Sequence, residues 1–232
     1  MATQPRHIGF IMDGNRRFAK RLMLHPTKGH DWGAAKIWKV FEWCKNAGLR
    51  EATFYAFSTE NFKRPKREFD YLMRLFEGES EKLLKDPRVM KNGIRVAFIG
   101  RTWMFSDKLQ RLILQLEEKT RPNKKFIMTF AIGYGGRAEI VDATKRIAEA
   151  VSRGTLDVNE IDEKVVSEHL YLSSEPDLII RTGGEKRTSN FLPYQSAYSE
   201  WFFLDKFWPE IEESDVKACL REFKDRERRF GK

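Results

Sequence analysis

Apolar positions along the chain fall into short unbroken runs and into stripes spaced three or four residues apart, and the two patterns alternate from end to end. Runs read as buried strands and stripes as amphipathic helices. Ile8, Phe10, Ile11 and Met12 predict an interior strand that stops at the turn residues Asp13-Gly14-Asn15. Ile37, Val40, Phe41 and Cys44 then predict a helix over residues 31–46, stopped by Gly48. Strands follow at 52–57, 94–99, 126–132 and 177–180, with a further apolar run after Glu200. Between them lie the helical stripes Phe69, Leu72, Met73, Phe76, Leu83, Leu84; Leu109, Leu112, Ile113, Leu116; and Ile140, Val141, Ile147, Ala148, Val151. A short helix is expected around 162–170, and residues 214–232 read as a helix that becomes basic. Alternating strand and helix without a repeat or a linker predicts an α/β fold, a single domain over 1–232 with a central, mostly parallel sheet flanked by helices.

The polar residues gather just after strands. Asp13, Gly14, Asn15, Arg16 and Arg17 combine a close-approach glycine, a helix start and two guanidinium groups, which suits an anion. Asp13 fits there if Mg2+ joins its carboxylate to a phosphate; the alternative is a structural N-cap. A second turn, Arg181-Thr182-Gly183-Gly184-Glu185-Lys186-Arg187-Thr188-Ser189, holds two arginines and a serine that can grip a diphosphate, or is a solvated basic loop. Gly133-Tyr134-Gly135-Gly136-Arg137 is either a phosphate loop or tight helix–sheet packing. Glu200 is either a metal ligand or an edge charge. Two phosphate turns in one domain point to chemistry between two phosphorylated molecules.

Composition narrows the setting. The 43 basic residues outnumber the 34 acidic ones, leaving a net charge of +9 that favours an anionic partner. Aromatic residues lie on the expected core faces and do not interleave with the cations, so nucleic acid is not the expected partner. Cys44 and Cys219 make neither a disulfide framework nor a metal-ligand spacing, and the expected compartment is the cytoplasm. No apolar run is long enough to span a bilayer, so any membrane contact is expected to be peripheral.

MDGNRR at 12–17, YAFSTENFKRP at 55–65, YGGR at 134–137, IRTGGEKRTSNF at 180–191 and RERRFG at 226–231, in that order, resemble the cis-prenyltransferases, the family of undecaprenyl and dehydrodolichyl diphosphate synthases. The resemblance implies an α/β fold with a sheet of roughly seven strands and a hydrophobic tunnel. It also implies Mg2+-dependent condensation of an allylic prenyl diphosphate with isopentenyl diphosphate, forming a cis double bond. Carried onto this chain, Asp13 matches the metal aspartate, and Gly14, Asn15, Arg16, Arg17, His30 and Arg64 the allylic diphosphate site. Ser58, Arg181, Arg187 and Ser189 match the isopentenyl diphosphate site, Asn61 a residue positioned between the substrates, and Glu200 the metal-associated glutamate. Phe69, Leu72, Met73 and Phe76 are expected to wall the tunnel, and the C-terminal arginines to reach across a homodimer. The chain departs from common family residues at Pro26, Phe62, Lys186 and Pro193-Tyr194, and Arg16 resembles the eukaryotic and archaeal branches. Competing expectations are a branching, head-to-middle condensation of two allylic diphosphates and a non-catalytic partner subunit, although such partners lose the DGN residues kept here at 13–15.

Overall fold

In the computed structural model, which describes residues 4–226, the alternation closes into one sheet. Its strands are β1 (His7–Ile11), β2 (Glu51–Ser58), β3 (Ile94–Ile99), β4 (Phe126–Tyr134), β5 (Leu178–Arg181) and β6 (Glu200–Phe203). All pair in parallel, in the order β3-β4-β2-β1-β5-β6. Six strands among the described residues are fewer than the resemblance implied. The helices are α1 (Asn15–Arg21), α2 (Pro26–Asn46), α3 (Lys66–Lys85), α4 (Pro87–Lys91), α5 (Asp107–Thr120), α6 (Gly136–Ser152), α7 (Glu163–His169) and α8 (Glu213–Asp225).

A parallel sheet covered on both faces needs strands that are apolar on both. β1 is buried at every position. Side chains alternate across the sheet: Ile8, Phe10, Leu178 and Ile180 pack with Val40, Phe41 and Cys44 of α2 and Val216, Cys219 and Leu220 of α8. Ile11 and Ile179 face the other way, onto Tyr134, Leu172, Phe191 and Leu192. Both cysteines are buried free thiols, and burial pushes the Cys44 thiol well above its ordinary pKa.

α2 begins earlier than periodicity predicts. Residues 26–36 carry too few apolar side chains for a stripe, but Pro26 sits at the first helical position, where its fixed φ and missing N–H cost nothing, and His25 caps it. β1 lies between β2 and β5, so the order reverses beside it. Open α/β sheets bind ligands beyond the carboxyl ends of strands at such a switch point. Asp13, Ser58 and Arg181 all stand there.

Candidate active site

The backbone turns sharply where β1 ends. Gly14 has φ 98°, a left-handed conformation that a side chain strains, and a Cβ there would come within 2.5 Å of the Phe207 ring. On α2, a Cβ at Gly29 would meet the Asn15 carbonyl oxygen at 1.9 Å, so only glycine lets α1 approach so closely. The Asp13 carboxylate accepts hydrogen bonds from Gly14 N–H (2.6 Å), Arg17 (3.1 Å) and Arg181 (2.9 Å). Burial opposes its ionisation, but the Arg181 hydrogen bond and the charges of Arg17 and Arg181 outweigh it, holding the carboxyl below the usual range.

Arg181 is 3% exposed and joins the two predicted turns. Besides Asp13, it donates to the Arg187 carbonyl (2.5 Å) and the Ser189 hydroxyl (2.6 Å). Thr182 donates its hydroxyl to the Asp13 carbonyl (2.8 Å). The Arg187 side chain turns to Glu185 (2.5 Å), which also stands 3.6 Å from Arg17. Ser189 and Asn190 both have positive φ, an arch that local preference disfavours. It is held from outside. Asn190 accepts hydrogen bonds from Gly136 N–H (2.8 Å) and Arg137 N–H (2.9 Å), while Tyr55 donates to the Ser189 carbonyl (3.3 Å). The Gly133–Arg137 turn therefore clamps the arch, which favours its packing reading over a phosphate loop. Deeper, the buried Glu139 carboxyl accepts from Tyr134, from Tyr171 and Leu172 N–H, and from Gln195; burial pushes its pKa up.

On the other side of the cleft, Asn61 Oδ1 accepts from Ser58 N–H (3.0 Å), so Asn61 caps the turn that follows β2 and leaves its amide N–H groups for a ligand. Glu68, which sequence reasoning missed, gathers three of the predicted allylic-site residues. Arg16 (2.9 Å) and Arg64 (2.5 Å) bind it, and His30 Nε2 lies 3.4 Å away. The spacing of Arg64 and Glu68, four apart where a helix begins, was the available signal. Burial, with Arg64 and Arg16 nearby, holds the His30 pKa below its ordinary value against the pull of Glu68. Phe62 packs among Phe57, Phe69 and Phe105, as a core aromatic.

These residues surround two adjoining cavities. The polar one, about 610 Å³, is lined by Asp13, Asn15, His30, Ser58, Glu60, Asn61, Arg64, Arg181, Arg187 and Ser189 among others. Among its lining residues, Asn15 Oδ1 and Arg181 Nε are buried without a hydrogen-bond partner in the chain, and His30 Nε2 has only the Glu68 carboxylate nearby. The second cavity, about 330 Å³, is mainly apolar and runs between α2, α3 and the sheet past Ile37, Leu72, Leu75, Phe76, Leu83 and Met128. Two of the four residues expected to wall a tunnel reach it. All four pack with the Phe57–Phe105 cluster, but only Leu72 and Phe76 also line the cavity; Phe69 and Met73 do not.

Glu200 is not brought to Asp13. It pairs with Leu178 at the start of β5, whereas Arg181 pairs with Ile11 and Phe203 at the other end, about 10 Å along the strands. Its carboxylate binds Arg226 (2.5 Å). Within one described chain no cluster of three acidic, histidine or cysteine side chains could hold a metal. Asp13 remains a fitting Mg2+ residue on other grounds. It is a carboxylate held ionised in an arginine-rich cavity, and Mg2+ commonly takes one or two carboxylates and completes its shell with phosphate oxygens and water. Of the C-terminal arginines, Arg228 and Arg229 lie outside the described residues. No described helix is long and apolar enough to cross a membrane.

Comparison with known proteins agrees with this geometry. Residues 11–231 match the family model described as putative undecaprenyl diphosphate synthase. The chain is 48% identical to the isoprenyl transferase of Thermus thermophilus, covering 98% of this chain and 89% of that protein. It is 47% identical to the tritrans,polycis-undecaprenyl-diphosphate synthase (geranylgeranyl-diphosphate specific) of Pyrococcus horikoshii, covering 98% and 87%. Its fold is similar to that of lavandulyl diphosphate synthase from Lavandula x intermedia in complex with dimethylallyl diphosphate, with a TM-score of 0.91, 32% identity and 99% of each chain covered. A probable undecaprenyl diphosphate synthase from Campylobacter jejuni superposes with a TM-score of 0.83 at 33% identity, covering 99% and 100%. A family match over nearly the whole length, on motifs that the fold assembles around one cleft, leads to one conclusion: the chain belongs to the undecaprenyl diphosphate synthase family of cis-prenyltransferases.

Proposed function

We propose that this chain extends an allylic prenyl diphosphate with isopentenyl diphosphate, adding cis isoprene units and releasing diphosphate, and that its two cavities divide the work. The observation that carries this reading is a polar cavity lined by Asp13, Asn15, His30, Arg64, Arg181 and Arg187 that adjoins an apolar one and shares lining residues with it. Guanidinium groups and amides converging on one cleft suit an anionic head group, and the apolar space beside it suits a hydrocarbon tail. The allylic diphosphate belongs with Asp13, Gly14, Asn15, Arg16, Arg17, His30 and Arg64, and its hydrocarbon tail with the apolar cavity. Isopentenyl diphosphate belongs with Ser58, Arg181, Arg187 and Ser189.

Asp13 would hold Mg2+, which would supply charge neutralisation at the departing diphosphate. Arg17 reinforces that effect from a fixed position, so the allylic carbon becomes electrophilic and the isopentenyl double bond, held by the diphosphate grip of Arg181, attacks it. Asn61, with Oδ1 committed to Ser58 N–H, is a positioning amide rather than a base; the released diphosphate takes the proton. The fold likeness to lavandulyl diphosphate synthase supports a second reading, the branching condensation of two allylic diphosphates.

The test is to incubate purified protein with Mg2+, labelled isopentenyl diphosphate and primers of several lengths, geranylgeranyl diphosphate first, and to analyse product length and branching. Linear products extended by several units are expected, with turnover lost in EDTA and restored by Mg2+. Branched products from dimethylallyl diphosphate alone would establish the second reading, and no product from any primer pair would overturn both. Measuring mass in solution tests the homodimer, in which Glu200 and the C-terminal arginines would act across the interface.

A further inference from the structure

The turn between α1 and α2 presents an apolar surface that the reaction does not use. Leu22 is 48% exposed, Met23 96% and Leu24 44%, and Trp32 beside them is 37% exposed. Other exposed apolar side chains among the described residues stand singly or in pairs, such as Trp103 and Met104. Three in succession at a loop tip are unusual on a protein surface. The backbone beneath them is ordered: Met23 N–H donates to the Lys20 carbonyl and Leu24 N–H to the Ala19 carbonyl, both at 2.9 Å. Met23 adopts φ 57°, a conformation that costs a non-glycine residue energy, to stand almost wholly in solvent. Below the tip, Phe18 packs edge-on against Trp32 at 5.3 Å, and Arg21 lies over the Phe18 ring at 5.4 Å.

Basic side chains outnumber acidic ones around this tip. Residues 15–30 hold five cations, Arg16, Arg17, Lys20, Arg21 and Lys28, and no acid. Arg16 and Arg17 turn inward to Glu68 and Asp13, Arg21 binds Glu210, and Lys28 stands 3.5 Å from Asp31. Lys20 is exposed and makes no ion pair among the described residues. Arg21 and Lys28 keep more than half of their side-chain surface in solvent. A projecting apolar tip, an aromatic ring at its base and a collar of cations are the parts of an interfacial anchor: the apolar side chains enter the acyl boundary, the ring sits at headgroup depth and the cations meet lipid phosphates. A protein partner would need a matching acidic groove; an anionic bilayer needs none.

We propose that the Leu22–Leu24 turn docks this protein on an anionic lipid bilayer, with Lys20, Arg21 and Lys28 around it on the headgroups. Its test is flotation of the purified full chain with phosphatidylcholine vesicles, with and without about a third phosphatidylglycerol. The wild type is expected to float with the anionic vesicles, and to be released as salt rises. Met23→Asp should lower the floated fraction about fivefold, Lys20→Glu less, and Met23→Trp should raise it and be quenched by brominated acyl chains. Met23→Asp changes only an exposed tip, so its melting temperature and its turnover with a short, soluble primer should match the wild type. Failure of the wild type to float, or flotation of Met23→Asp equal to wild type, would overturn the proposal. Loss of binding in Lys20→Glu with none in Met23→Asp would also overturn it, since headgroup attraction without insertion needs no apolar turn.

Discussion

Two cavities share Met12, Asn15, His30, Ala56 and Leu72, yet opposite chemistry builds them. The polar one is walled by side chains from the ends of three strands, and its key pair, Asp13 and Arg181, are 168 residues apart in sequence. Each of these groups is held by another charge or by backbone. The apolar one is walled by one face of α2, one face of α3 and the sheet beneath them, with few polar contacts of its own. Damage should therefore spread differently. A change in the polar cavity should alter rate or substrate affinity, because charge placed to oppose developing charge is worth most in a dry cleft. A change in the apolar cavity should alter which product is made, because space and apolar area carry no directional requirement.

The sharpest way to break that division is at Asp13. Asp13→Ala should cut turnover by about a hundredfold or more while the circular dichroism spectrum stays that of the folded protein, with a lower melting temperature because buried Arg181 loses its carboxylate. Near-normal turnover would remove Asp13 from the metal role and leave the polar cavity without its centre. Next comes Arg181→Lys, which keeps the charge but loses the fork that reaches Asp13, Arg187 and Ser189 at once. The KM for isopentenyl diphosphate should rise about tenfold or more, with a smaller effect on the allylic primer. Equal effects on both substrates would mean that the two sites are not separate.

In the apolar cavity, Phe76→Ala should shift products to longer chains. Met73→Ala, one turn away in the same cluster but not on the cavity wall, should cost about 2 kcal/mol of stability and leave product length unchanged. If both variants lengthen the product, the cavity wall extends further round α3 than its lining residues indicate.

The smallest expected effect is on pH dependence, and it separates the two residue types at the cleft. The folded-state pKa of His30 is depressed, so its neutral form is favoured. The unfolded chain takes up that proton near pH 6.5, as for an ordinary histidine. The contribution is therefore present above about pH 6.5 and is lost as pH falls toward the folded value. Asp13 is depressed as well, but its stabilising contribution persists above its unfolded pKa near 4 and fades only below it. Melting temperatures from pH 7.5 to 5.5 should fall modestly in the wild type and less in His30→Gln. An NMR titration should find the His30 ring titrating below pH 6.5.

Much of the fold was legible in the sequence because it is written in local periodicity. The unbroken run in β1 and the stripe Ile37, Val40, Phe41, Cys44 each identify an element whatever lies elsewhere in the chain. The start of α2 was hidden because Pro26 and His25 signal by backbone geometry rather than by apolar spacing. The motif residues Asp13, Asn61 and Arg181 were legible too, as unusual polar groups after strands. Glu68 was not, since an acid in the first turn of a helix is ordinary until Arg16, Arg64 and His30 converge on it.

The sequence by itself determined the order of strands and helices, the two glycine- and arginine-rich turns and the family, all of which rest on contiguous residues. Only the tertiary structure decided that the two turns share Arg181, that Glu200 stands at the opposite end of the strands, and that Leu72 and Phe76 face the cavity while Phe69 and Met73 do not. The physical reason is register. Parallel pairing sets which ends of strands meet, and the rotation of a helix about its axis sets which side chains reach a cavity; both are fixed by contacts between segments far apart in the chain.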